Sequence, residues 1–186
     1  MPEFSDFQHN FNTPYGIGVR RGMYQELGGI DKFGYLPTAG TSYKTVWDGD
    51  NVYTYPSSAV TMTATSAAGA TDNGVEVTIQ GLDTDYNELN ETITLAGSGT
   101  ATTTGEFLRI NRAFVSNGQA STNDIAIGNG GTYYAYILEE YQQTLMAVYT
   151  IPKGKRGYLV AANISVEKNQ PVVSKLMIRA SGGVLR

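Results

Sequence analysis

The chain has 186 residues, with 22 Gly, 13 Tyr, no Cys, 16% charged residues and a formal net charge of −4. That length suits one domain, or one domain plus an extended segment, and it can bury a core without covalent staples. The absence of Cys excludes disulfides, thiolate metal sites and Cys nucleophiles while leaving the redox compartment open, and the acidic balance argues against a protein whose main work is gripping phosphate backbones.

The start, Met1-Pro2-Glu3-Phe4-Ser5-Asp6, lacks the basic and apolar regions of a secretory signal. No apolar run approaches the roughly 20 residues that cross a bilayer, so the sequence predicts synthesis in the cytoplasm and no membrane span. Residues 1–42 differ in kind from the rest. Phe4, Phe7, Phe11, Tyr15, Tyr24, Phe33 and Tyr35 stand among Gly, Pro, Asn and Gln without period 2 or 3.6. Such a segment cannot build its own core, yet it is too aromatic for an ordinary disordered tail. The reading is an extended N-terminal arm whose seven aromatic anchors dock on a partner; the alternative is an arm packed on its own domain. A short helix around Arg20 to Leu27, stopped by Gly28-Gly29, fits within it.

From residue 43 to 186, strand-like runs recur. The first is Tyr43 to Trp47, followed by the turn Asp48-Gly49-Asp50-Asn51. Ala59 to Thr65 alternates Val60, Met62 and Ala64 against threonines, and Asn73-Gly74 signals a turn. Val75, Val77 and Ile79 then oppose Glu76, Thr78 and Gln80, and after Gly81 to Asn87 the alternation returns with Leu89, Ile93 and Leu95. This is the period of two half-buried strands joined in a hairpin. Ala96 to Thr100 reads as a flexible loop. Further strands are expected at Phe107 to Ser116, Ile125 to Ile127, Tyr133 to Leu138, Leu145 to Ile151, Tyr158 to Val166 and Val172 to Arg179. About ten short strands without intervening amphipathic helices predict an all-β fold, an antiparallel β-sandwich of jelly-roll-like form carrying the arm. The Tyr-rich, charge-poor composition also fits a surface partly covered by neighbours, and so a homo-oligomer.

Catalytic and metal chemistry finds little footing. His9 is the single histidine and lies in the irregular arm, with no G-x-S-x-G elbow to supply a nucleophile. Asp48 with Asp50, and Asp83 with Asp85 and Glu88, do not follow the calcium-loop spacing. They sit where Asp and Asn are favoured as turn residues. The same pairs lie within single turns and not across a cleft, unlike glycosidase carboxylates. Gly128-Asn129-Gly130-Gly131 runs into a strand and is no phosphate cradle. Tyr133, Tyr134 and Tyr136 could stack on bases or sugars, but sheet-face and interface roles suit them better. The sequons at Asn90 and Asn163 fall inside expected strands, where glycosylation would be awkward. Ile151 to Val160 reads as a hairpin with a basic tip at Lys153, Lys155 and Arg156. The expectation is a protein with no catalytic residues, no cofactor and no metal.

Three segments together resemble a family of structural proteins from tailed-bacteriophage particles. They are G-V-E-V-T-I-Q-G-L-D-T-D-Y-N-E-L-N-E-T-I-T-L (Gly74 to Leu95), F-L-R-I-N-R-A-F-V (Phe107 to Val115) and Q-T-L-M-A-V-Y-T-I-P-K-G-K-R-G-Y-L (Gln143 to Leu159). Similar proteins carry such a hairpin, strand and second hairpin in this order, and the likeness spans about residues 55–180. It implies a non-enzymatic virion component on the capsid surface. A decoration or cement protein would touch the major capsid protein or other virion proteins and copies of itself, a trimer being one arrangement, without direct contact to nucleic acid or membrane. The alternatives are a neck-, tail- or head-fibre-associated virion protein, or a module binding host-surface glycans.

Overall fold

A computed structural model describes residues 18–19, 22, 27–166 and 172–179. Its strands are β1 (Val60–Ser66), β2 (Glu76–Leu82), β3 (Glu88–Thr94), β4 (Thr100–Phe107), β5 (Arg109–Val115), β6 (Ile125–Asn129) and β7 (Thr132–Ile137), with a 3-10 turn at Gly69–Asp72. They form two antiparallel sheets, ordered β4-β1-β6-β7 and β3-β2-β5. The fold is all-β, and the likeness to a jelly roll extends as far as an antiparallel sandwich of four strands against three.

The alternation read in β2 and β3 sets their faces. Val75, Val77 and Ile79 are fully buried, and Ile93 and Leu95 join them from the partner strand. Val77 stands opposite Ile93, while on the outer face the hydroxyls of the Thr78 and Thr92 pair meet at 2.7 Å. Met62, Ala64, Ile125, Ile127, Ala135 and Ile137 face them from the other sheet, and Phe107 fills one end. Burying each of the larger side chains contributes about 1.5–3 kcal/mol, offset by the entropy of ordering it.

β4 lies where a loop and its aftermath were expected. Its Thr100-Ala101-Thr102-Thr103-Thr104-Gly105 stretch has no apolar alternation to reveal it. What holds it is polar: buried Thr103 accepts the Met62 N–H at 2.9 Å and donates to Gly105 O at 2.8 Å, bridging a register shift between β1 and β4. Gly81 in β2 is required by contact. A Cβ there would stand 2.0 Å from Arg109 O on β5.

Four expected strands pair into neither sheet: Tyr43 to Trp47, Leu145 to Ile151, Tyr158 to Val166 and Val172 to Arg179. Residues 143–150 nevertheless run beside β5. Gln143 bridges Phe114, the Thr144 N–H reaches Ala113 O at 2.9 Å, and Met146 and Val148 are buried at the predicted period. Beyond them, the Ala147 N–H reaches Val46 O at 2.8 Å and the Leu145 N–H reaches Asp48 Oδ2 at 2.9 Å. Segments 46–48 and 143–150 therefore line the flank of the sandwich beside β5. The opposite flank is closed by Glu91 of β3, whose carboxylate accepts the N–H groups of Thr104 and Gly105 in β4 at 2.7 and 2.8 Å.

Candidate partner-binding surface

The segments Gly74 to Leu95, Phe107 to Val115 and Gln143 to Leu159 meet in space. In the β2–β3 turn, Asp83 Oδ1 accepts the N–H groups of Asp85 and Asn87 at 2.8 and 2.9 Å, which fixes the loop and lets Tyr86 adopt φ 64°. The Arg109 guanidinium of β5 lies 5.4 Å from the Tyr86 ring and 4.6 Å from the Tyr55 ring, and it donates to the Tyr86 hydroxyl at 3.1 Å. The third segment arrives with buried Pro152, and the Lys153 N–H donates to Tyr86 O at 2.8 Å. The expected turn at 152–155 is present, with Gly154 at φ 77° and the Lys155 N–H bonded to Pro152 O; the strands expected to flank it are not.

Asn111 is a second node, and nothing in the sequence singled it out. β2 and β5 slip register where Gln80 faces Arg112 and Gly81 faces Ile110, so Asn111 is the extra residue of a bulge. Its turned side chain mimics a strand partner. Asn111 Nδ2 donates to Thr150 O at 2.9 Å, and Asn111 Oδ1 accepts the Thr150 N–H at 2.8 Å. Its backbone carbonyl accepts from Lys32 Nζ. Burial, helped by the nearby Arg112 charge, lowers the Lys32 amine to about 8.

The described part of the arm thus touches its own domain at several points, among them Lys32, Thr38, whose carbonyl accepts from Lys44 Nζ at 3.2 Å, and Tyr35, whose N–H reaches Leu145 O at 3.0 Å and whose ring lies 6.5 Å from that of Tyr141. Close to Lys32 and Tyr35 the backbone of Gly34 packs against Ala147 and Val46. Between Lys32 and Tyr35, Phe33 points outward, 68% exposed, and Ile30 is 59% exposed. Of the seven aromatic anchors, Phe33 and Tyr35 are described. Phe4, Phe7, Phe11, Tyr15 and Tyr24 lie outside the described residues, as do His9 and nearly all of the expected helix.

On the carboxyl-terminal side the apolar display is larger. Residues 153–166 and 172–179 are all exposed, among them Tyr158 at 76%, Val160 at 73% and Val173 at 71%.

The other candidate groups separate. Asp50 pairs with Lys44 at 2.8 Å while Asp48 holds the Leu145 N–H, so the two carboxylates serve different partners. Burial, with the Asp124 charge adding to it against the Leu145 hydrogen bond, raises Asp48 to about 6. Among the described residues no group of three or more His, Cys, Asp or Glu could hold a metal ion, and no helix is long and apolar enough to cross a membrane. Tyr133 and Tyr136 border a cleft of about 270 Å³ with Trp47, Val52 and Gly131. Their rings tilt at 51° to one another, and Trp47 is buried edge-on against Tyr53, so the walls are aromatic without forming one flat platform.

Compared with known proteins, the chain matches no family model, no curated protein and no solved structure.

Proposed function

We propose that this chain is a non-enzymatic structural protein of a tailed-phage particle, a capsid decoration or cement protein that binds the major capsid protein and copies of itself on the outer face of the shell. One observation carries the reading: the sandwich displays apolar chain on its flanking segments, 27–46 on one side and 153–166 and 172–179 on the other, where Ile30, Phe33, Tyr158 and Val160 each stand more than half exposed. A chain acting alone gains nothing from that display, whereas in an assembly each such side chain returns roughly 1.5–3 kcal/mol when covered, before ordering costs. The resemblance of the three segments around Tyr86, Arg109 and Pro152 to tailed-phage structural proteins supports that kind of particle. Deleting residues 2–35 should abolish co-sedimentation with undecorated shells while the sandwich keeps its circular dichroism. Undiminished occupancy would sink the arm as the attachment element.

A second reading rests on the cleft beside Tyr133. Its aromatic walls suit the apolar face of a sugar, which makes a host-surface glycan-binding role the competing function. Glycan-array binding that disappears in Tyr133→Ala would favour it over the shell.

A further inference from the structure

The charge of this chain is divided along its length. Residues 152–186 hold seven basic residues and one acidic residue, Glu167, a net of +6, while residues 1–151 hold six basic and 16 acidic residues, a net of −10. The overall −4 conceals a basic tail on an acidic body. That tail leaves the body at buried Pro152 and the Lys153–Tyr86 bond. Among the described residues beyond it, no backbone hydrogen bond ties 156–166 or 172–178 to the sandwich; side-chain contacts do, with Lys175 Nζ lying 4.2 Å from the Tyr43 ring centroid and the Arg179 charge acting on Tyr55.

The tail is also written as strand. Tyr158, Val160, Ile164 and Val166 fall on one side of an alternating run, and Leu176 and Ile178 share a side of the next. Two short strands by themselves are marginal in water, so such a segment needs a sheet or a surface to lie on. Its own body does not cover it: every described residue from 153 onward is exposed.

We propose that the tail, through its described residues 152–166 and 172–179, docks on the acidic body of a second copy of this chain, joining copies tail to body. Opposite charge of comparable size is present on every copy in fixed ratio, and the apolar side chains supply the contact that charge alone would leave loose. Because tail and body are different surfaces, the contact is heterologous. It closes into a ring if the rotation between copies allows, and otherwise runs on as a filament. A nucleic acid or an anionic membrane fits less well, since the six cations between residues 152 and 179, Lys153, Lys155, Arg156, Lys168, Lys175 and Arg179, are spread among a larger number of apolar side chains.

This inference deepens the proposed function by naming the element that binds like copies, and its test needs no particle. Sedimentation velocity of the purified full chain, over about 1–100 µM and from about 50 to 500 mM NaCl, should show self-association that weakens as salt screens the charges. Two full-length variants, Arg156→Glu with Lys175→Glu and Leu176→Ser with Ile178→Ser, change exposed side chains and should stay folded. Each should weaken association by about tenfold or more. A full chain that stays monomeric throughout, or variants that associate as well as the parent, would overturn the proposal. So would tail-dependent binding to a DNA duplex or to phosphatidylglycerol vesicles with self-association unchanged. A monomeric chain that still decorates shells would leave the proposed function standing without this inference; a self-associating chain that binds no shell would do the reverse.

Discussion

Two carboxylates, Asp72 buried and Asp48 half-buried, respond to burial in opposite ways. At Asp72, burial favours the neutral acid, but hydrogen bonds from Ser66 Oγ, Thr122 Oγ1 and the Thr122 N–H outweigh it and hold the carboxyl below its ordinary value. Its stability is present above the unfolded pKa and is lost as pH falls through the lower folded one. Asp48 has one hydrogen bond, from Leu145, and an Oδ1 that is buried without a partner, so burial prevails and raises the group to about 6. Here the folded value lies above the unfolded one. The cost of ionised Asp48 is complete above about pH 6 and is relieved as pH falls toward the unfolded value near 4. Asp48→Asn keeps an acceptor for the Leu145 N–H and removes the charge. Thermal scans should therefore place this variant roughly 2–4 °C above the parent at pH 7 and level with it near pH 4. An equal offset at both pH values would exclude ionisation as the cause.

At the scale of elements, the two sheets are joined at one flank by a side chain doing the work of a strand. Glu91 accepts from the N–H groups of Thr104 and Gly105 and from the Thr104 hydroxyl, and these bonds overcome burial to keep its carboxyl below the usual range. Glu91→Gln would set an amide NH₂ against one of those N–H donors, at a cost of about 1–3 kcal/mol. Urea unfolding should show the lower midpoint, with faster amide exchange confined to Thr104 and Gly105. Unchanged exchange there would mean that the carboxylate is dispensable to β4. β2 and β3 were legible because Val77, Ile79 and Ile93 bury one face and leave threonines on the other. β4 was not, because a Thr-rich strand anchored through the Thr103 hydroxyl has no hydrophobic period to read. The last two expected strands were legible as pattern only. Tyr158 to Val166 and Val172 to Arg179 have the alternation, but a strand also needs a pairing strand, and neither segment joins a sheet among the described residues.

For the whole molecule, the sequence predicts an arm with seven aromatic anchors, of which Phe33 and Tyr35 are described, but it could not show that Lys32 and Tyr35 tie part of that segment to its own body. Nor could it reveal Asn111, since a bulge depends on the register of two strands distant in sequence and leaves no local mark. Asn111→Ala removes both bonds to Thr150 and should cost about 1–3 kcal/mol. Limited trypsin digestion would check it: cleavage at Lys153 and Lys155 should accelerate while the sandwich core survives. Parental rates at these sites would show that Asn111 does not hold the segment.

The bulge has a mechanical meaning as well. The arm is held at Asn111 through Lys32, and the tail is held at the same residue through Thr150. A pull on both ends would load this point on β5 together with the Tyr35–Leu145 and Lys153–Tyr86 bonds, and would largely bypass the core. The mooring would part first, and a body still intact could swing, let the strain fall and be tied up again.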